Sequence, residues 1–210
     1  MGPTGVKADS GTRAGKAGRV AFIIGIAGGS ASGKSTIAGK LKERLAPLTV
    51  EVVNQDRFFW PTEQLPRVTN EASGRTWPDY NQPGSVDFAG LRQAMREARE
   101  GSAEVVILEG ILALHDPEVR GLMDLKLFVD ADPDERIVRR IRRNFARGYD
   151  LDGICDYYLD SVRYRHREFN EPQREQADVV IPGGKDEGAK AEAGLAEVCL
   201  RVQAALPAGR

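Results

Sequence analysis

The sequence predicts an α/β fold in which a parallel sheet lies between layers of helices, and three observations carry that prediction. Segments at Val20 to Ile26, Thr49 to Val53, Glu104 to Leu108, Leu125 to Val129 and Ala177 to Ile181 are apolar on both faces, as strands covered from both sides are. Helical spacing occupies most of the intervals between them, which is what right-handed crossovers need. A glycine-rich stretch follows the first run directly, at the edge where open sheets of this kind bind ligands.

The chain has 210 residues, enough to bury roughly 70% of its unfolded surface in one core. A single domain over 19–210 with a small lid follows an expected disordered leader, Met1 to Gly18, which is rich in Gly, Lys, Ala and Thr and has no apolar signal-like core. The formal net charge of -1 gives no general attraction to nucleic acid or to an anionic membrane. No apolar run approaches a membrane span. Cys155 and Cys199 lie far apart, and His115 and His166 do not complete a zinc-ligand spacing with them, so a reducing cytoplasm is the expected compartment.

After the first strand, Gly28-Gly29-Ser30-Ala31-Ser32-Gly33-Lys34-Ser35 matches G-x-x-x-x-G-K-[ST] at every fixed position. A polyphosphate needs converging backbone N–H groups, and Gly28, Gly29 and Gly33 let the main chain wrap closely around it. Ile37, Leu41 and Leu45 give the run from Lys34 helical spacing, so unpaired N–H groups of a helix start face the same anion. Lys34 then reaches the terminal phosphates, Ser35 offers its hydroxyl to Mg²⁺, and Thr36 follows on the same turn. The plainer alternative is a glycine-rich turn. The strand before and the helix after favour a nucleoside triphosphate site.

The second strand runs into Asn54-Gln55-Asp56-Arg57-Phe58-Phe59-Trp60, which puts a carboxylate just past its C-terminal end. Asp56 there is a candidate base for an acceptor hydroxyl, with a turn cap as its plainer role. Trp60 to Ser85 carries four prolines and reads as a long irregular connection. Its aromatic residues Trp60, Trp77 and Tyr80 favour a flap over an acceptor site. The third strand ends at Glu109, a candidate metal-side ligand opposite Ser35.

From Asp132 to Arg147 the pattern is helical, capped by Asp132 with Pro133 in first position. Ile137, Ile141 and Phe145 mark the expected apolar face. Arg136, Arg139 or Arg140, Arg143 and Arg147 form a basic stripe whose expected partner is an anion, since guanidinium groups bind phosphate bidentately.

Together these pieces resemble the uridine kinase family, within the P-loop kinases that also include nicotinamide riboside kinase and phosphoribulokinase. The resemblance spans roughly Arg19 to Gly184 and rests on GGSASGKS, NQDRFF, ILEGILAL, the block DLKLFVDADPDERIVRRIRRN, ARGYDL and EPQREQADVVIPGG. It implies a three-layer P-loop NTPase fold with a five-stranded parallel sheet and a helical lid near 139–165. It also implies transfer of the γ-phosphoryl group of ATP or GTP, with Mg²⁺, to the 5′-hydroxyl of uridine or cytidine. By the same resemblance Asp56 is the base, Glu109 the metal-side carboxylate, Arg140 and Arg147 lid arginines near substrate and phosphates, and Arg143 a flank of the nucleotide. Phe59, Tyr80 and Asn81 fall to the acceptor.

The sequence departs from that family at three points. The β-hairpin that pyrimidine-specific members insert before the ILEG strand has no room here, because Ala94 to Gly101 leads almost directly into that strand. Asn81, within Tyr80-Asn81-Gln82-Pro83, stands where the family has a ribose-binding aspartate. Tyr149 and Tyr157 replace an arginine and a glutamine. Uridine or cytidine is the default acceptor, nicotinamide riboside or a small sugar the alternative, and a nucleotide-binding regulator the alternative outside enzymology. The family includes monomers and homo-oligomers, and the sequence does not choose between them.

Overall fold

A computed structural model describes residues 20–71 and 73–206; the leader expected over 1–18 lies outside them. The sheet contains β1 (Phe22–Gly28), β2 (Val50–Asn54), β5 (Val105–Glu109), β6 (Leu125–Asp130) and β7 (Val179–Pro182) in the order β2-β5-β1-β6-β7. Every neighbouring pair is parallel. The chain order reverses direction at β1, so the crevice beyond its C-terminal end is the topological switch point.

Helices α1 (Lys34–Arg44) and α7 (Gly188–Ala205) cover one face, where Ile24, Ile26, Ile107 and Leu127 pack against Leu41, Leu195 and Val198. The other face carries α2 (Phe88–Arg99) and α3 (Pro117–Gly121), against Ile23, Val106, Leu108 and Phe128. Residues alternate between the two layers along each strand, and burying each such aliphatic side chain contributes about 1.5–3 kcal/mol.

The strands are displaced from the apolar runs by a residue or two. Val20 is exposed and outside the ladder, while β1 continues to Gly28, whose register partner is Val129. Ladder bonds to neighbouring strands set these limits, and hydrophobicity alone does not report them.

The segment from Trp60 to Ser85 is not wholly irregular. It contains an antiparallel hairpin, β3 (Arg67–Thr69) with β4 (Thr76–Pro78), in which Val68 faces Trp77 and the Thr69 and Thr76 hydroxyls meet at 3.1 Å. Gly74 closes the turn at φ 68, with its N–H on Asn70 O. No hairpin interrupts the short connection from α2 to β5, as the sequence indicates.

Helix α4 (Pro133–Phe145) departs from the expected inside and outside. Its buried residues are Arg136 and Arg140, whereas Phe145 is 64% exposed. Asp132 sits at the N-cap without a side-chain cap bond. Beyond a turn at Gly148 (φ 88), α5 (Leu151–Tyr157) continues through π-helical Tyr158–Val162, the single turn α6 (Arg163–Arg165) and π-helical His166–Asn170.

Candidate active site

The phosphate loop is shaped by close approaches. A Cβ on Gly28, at φ 148, would stand 2.4 Å from Val129 O, and one on Gly29 would stand 2.5 Å from Arg136 Nη1. Ala31, a non-glycine, takes φ 66, strain of the kind that concentrates at ligand sites. Gly33 (φ 105) then opens α1. The loop curls so that Lys34 Nζ donates to Gly29 O at 2.9 Å. Burial pulls the Lys34 pKa down to about 8, against the opposing charges of Glu109 and Asp56.

Glu109 closes β5 and is 5% exposed. Register places Asn54, at the end of β2, beside it. Glu109 Oε1 accepts from Asn54 Nδ2 at 2.9 Å and from Ser35 Oγ at 3.0 Å. Ser35 and Glu109 thus present a hydroxyl and a carboxylate oxygen side by side. Both are hard oxygen donors of the kind Mg²⁺ takes, and Mg²⁺ needs few protein ligands because it keeps most of its water. Among the described residues no cluster of three or more His, Cys, Asp or Glu side chains offers an all-protein metal cage. His115 instead packs between Phe88 and Phe169.

Asp56 follows in a 3-10 turn, Gln55–Phe58, that Asn54 caps by accepting from Asp56 N at 2.7 Å. The capping task therefore belongs to Asn54. The Asp56 carboxylate is exposed on the wall of a cavity of about 780 Å³, which Lys34, Ser35, Glu109, Arg140, Arg143 and Arg147 also line.

The arginines of α4 separate by role. Arg140 Nη1 and Arg143 Nη2 donate to Ser30 Oγ at 3.0 and 3.3 Å, docking the helix onto the phosphate loop. Arg140 Nε is buried without a protein partner among the described residues. Burial lowers the pKa of Arg136, Arg140 and Arg143. Arg136 lies beneath Gly29 and donates to Ala131 O at 2.9 Å, so it supports the loop from below. Arg139 points away, to Gly183 O and Glu135.

Phe59, Trp77, Tyr80, Asn81 and Tyr157 close the far side of the cavity. Asn81 does not stand open to a ligand with its whole amide, because its Nδ2 donates to Tyr157 Oη at 2.8 Å. Thr36 is exposed on the first turn of α1 and is absent from the lining, as are Gly28, Gly29, Ser32 and Gly33, which form the loop behind it.

Sequence reasoning missed Asp79. This fully buried carboxylate accepts from Arg165 Nε at 2.8 Å, Ser161 Oγ at 3.0 Å, Gln82 Nε2 at 2.9 Å and Asn81 N at 3.0 Å. It ties the segment bearing Asn81 to the helical run after α5. Its only sequence signal is an acid flanked by Pro78 and Tyr80, and two of its four partners, Ser161 and Arg165, lie more than eighty residues away.

The model of the Phosphoribulokinase / Uridine kinase family matches residues 23–104 and 98–189. The chain belongs to that family. Its two matched stretches overlap over 98–104, where α2 passes into β5. Among relatives, the chain is 36% identical over 187 residues to uridine kinase of Lactococcus lactis, covering 78% of this chain and 88% of that one. It is 35% identical over 192 residues to uridine kinase-like protein 3 of Arabidopsis thaliana, covering 79% of this chain and spanning 40% of that longer protein. A solved structure from Silicibacter sp. TM1040, described as a fructose transport system kinase, superposes with a TM-score of 0.64 at 20% identity over 80% of this chain and 92% of that one. That likeness shows the fold shared across this phosphoribulokinase/uridine kinase family member and its structural neighbour. No helix among the described residues is long and apolar enough to cross a membrane.

Proposed function

We propose that this family member is a kinase that transfers the γ-phosphoryl group of ATP, or GTP, to the 5′-hydroxyl of a nucleoside, with uridine or cytidine as acceptor. The observation that carries the reading is the shared cavity. Ser30, Ala31, Lys34 and Ser35 of the loop, the Glu109 carboxylate, Arg140, Arg143 and Arg147, and the free Asp56 carboxylate all line it. A protein that only bound nucleotide would need neither Asp56 nor the arginines there.

Backbone N–H groups of the loop and the start of α1 cradle the phosphates, and Lys34 meets their charge from inside the loop. Ser35 and Glu109 would hold Mg²⁺, which when bound would neutralise phosphate charge. Asp56 orients the acceptor hydroxyl and takes its proton as the oxygen attacks. Arg140, Arg143 and Arg147 stabilise charge on the transferring group, a contribution that reaches about 10³ to 10⁵ in rate where an arginine is well placed. Asn81 keeps its Oδ1 atom for a ribose hydroxyl, and Phe59 and Tyr80 border the ring. Closure of the segment after α4 keeps water from replacing the acceptor.

The test is ADP formation by the purified full-length chain in Mg²⁺ and ATP, with and without uridine or cytidine. Acceptor-dependent ADP with matching nucleoside 5′-monophosphate is expected. Slow hydrolysis indifferent to every acceptor would favour a regulatory nucleotide binder instead.

A further inference from the structure

At the aromatic end of the cavity the side-chain donors and acceptors, Asn81 Oδ1 apart, are engaged with other protein groups. Phe59 and Tyr80 meet edge to face at 5.4 Å, and Trp77 and Tyr157 lie 5.9 Å apart. Tyr80 Oη pairs with Thr62 Oγ1 at 2.9 Å, and the Trp77 indole N–H donates to Asp160 at 3.1 Å. Tyr157 Oη accepts from Asn81 Nδ2 at 2.8 Å and from Tyr80 N at 3.3 Å, while the Arg140 guanidinium lies over its ring at 5.4 Å. Asp79, which does not line the cavity, is fully buried with four donors from the protein. The rings of Phe59, Trp77, Tyr80 and Tyr157 themselves line the cavity.

We propose that the acceptor's ring is held by stacking on these aromatic walls and not by hydrogen bonds to its edge. The site then selects a flat heterocyclic nucleoside while ignoring the donor and acceptor pattern of the ring. This rests on the kinase reading above and specifies its acceptor subsite. The physical contrast is large. A pocket that hydrogen-bonds its substrate rejects an analogue lacking the group by about 10⁴ to 10⁵, because a buried partner is left unpaired, whereas apolar walls discriminate by only about 10- to 200-fold. Stacking accepts any base, since every base has a π face.

Two modified nucleosides separate these modes. In 3-methyluridine the ring stays flat but its N3–H donor is lost. In 5,6-dihydrouridine the N3–H and both carbonyls remain, but saturation removes the flat π face. The full-length chain is assayed for kcat/KM on uridine and both analogues at saturating Mg²⁺ and ATP. Expected values are 3-methyluridine within about tenfold of uridine and dihydrouridine lower by roughly 5- to 150-fold, the span of one stacking contact. A loss beyond about tenfold with 3-methyluridine, or dihydrouridine matching uridine, overturns stacking while leaving the kinase assignment standing. Absence of acceptor-dependent ADP with uridine itself removes the kinase assignment, and the stacking proposal falls with it.

Discussion

The two sides of the cavity are built on opposite plans. On the phosphate side, the loop and the strand and helix beside it bring charged and polar groups to the cavity lining: Lys34 and Ser35 on one turn, Glu109 one strand away, Arg140 with an unpartnered buried Nε. On the acceptor side, segments some eighty residues apart interlock through Asp79, Asn81 and Tyr157, and their polar groups are consumed by one another. The first plan leaves chemistry exposed to a substrate. The second makes a shape. A transfer reaction can thus stay constant in this fold while the acceptor wall is remodelled.

The contrast is tested most severely by Asp56→Asn. It should cut turnover by about 10² to 10⁴ while nucleotide affinity, measured by calorimetry, survives. Unchanged turnover would remove Asp56 from the reaction and leave only the phosphate cradle of the proposed machinery.

On the acceptor side the largest effect belongs to stability. Asp79→Ala leaves the half-buried Arg165 and the buried Ser161 without their shared acceptor, and should cost about 2–4 kcal/mol in denaturant unfolding. A loss below about 1 kcal/mol would show that the two segments are not held by this carboxylate.

Acid should weaken the fold through His166. Burial first, then the charge of Arg136, pushes its pKa down to about 4, and its Nδ1 has no partner among the described residues. The folded protein therefore resists a proton that the unfolded chain accepts near pH 6.5. Stability contributed by the neutral ring is complete above about pH 6.5 and is lost as the pH falls toward 4, by about 1–2 kcal/mol after allowance for solvent screening. Urea titrations across that window should show the slope in the native chain and its reduction in His166→Gln.

The smallest effect sharpens the comparison. Tyr157→Phe removes one oxygen that accepts from Asn81 and Tyr80, and should lower the melting transition by an amount corresponding to about 0.5–1.5 kcal/mol. No change would mean that Asn81 is free to turn toward a ligand.

How much of this was legible in the sequence differs between the same two sides. The loop from Gly28 to Ser35 was readable because its function depends on consecutive residues and on a strand before it and a helix after it. The acids at the ends of β2 and β5 were readable because parallel strands bring their C-terminal ends to one edge. The burial of two arginines on α4 was not. Spacing made Ile137, Ile141 and Phe145 its inner face, but Arg136 and Arg140 find carbonyl and hydroxyl partners on the loop and beneath it, which offsets their burial. The hairpin between Trp60 and Ser85 was hidden because its strands span only Arg67–Thr69 and Thr76–Pro78, too short for period-two alternation to stand out among prolines.

By itself the sequence determined the sheet, the phosphate cradle and the order in which Asp56 and Glu109 reach the cavity edge, because each depends on local pattern and parallel-strand geometry. Only the tertiary structure decided which groups remain open to a substrate. That choice turns on partners distant in the chain: Tyr157 engages Asn81, Arg165 engages Asp79, and Ser30 receives Arg140, none of which residue spacing can encode.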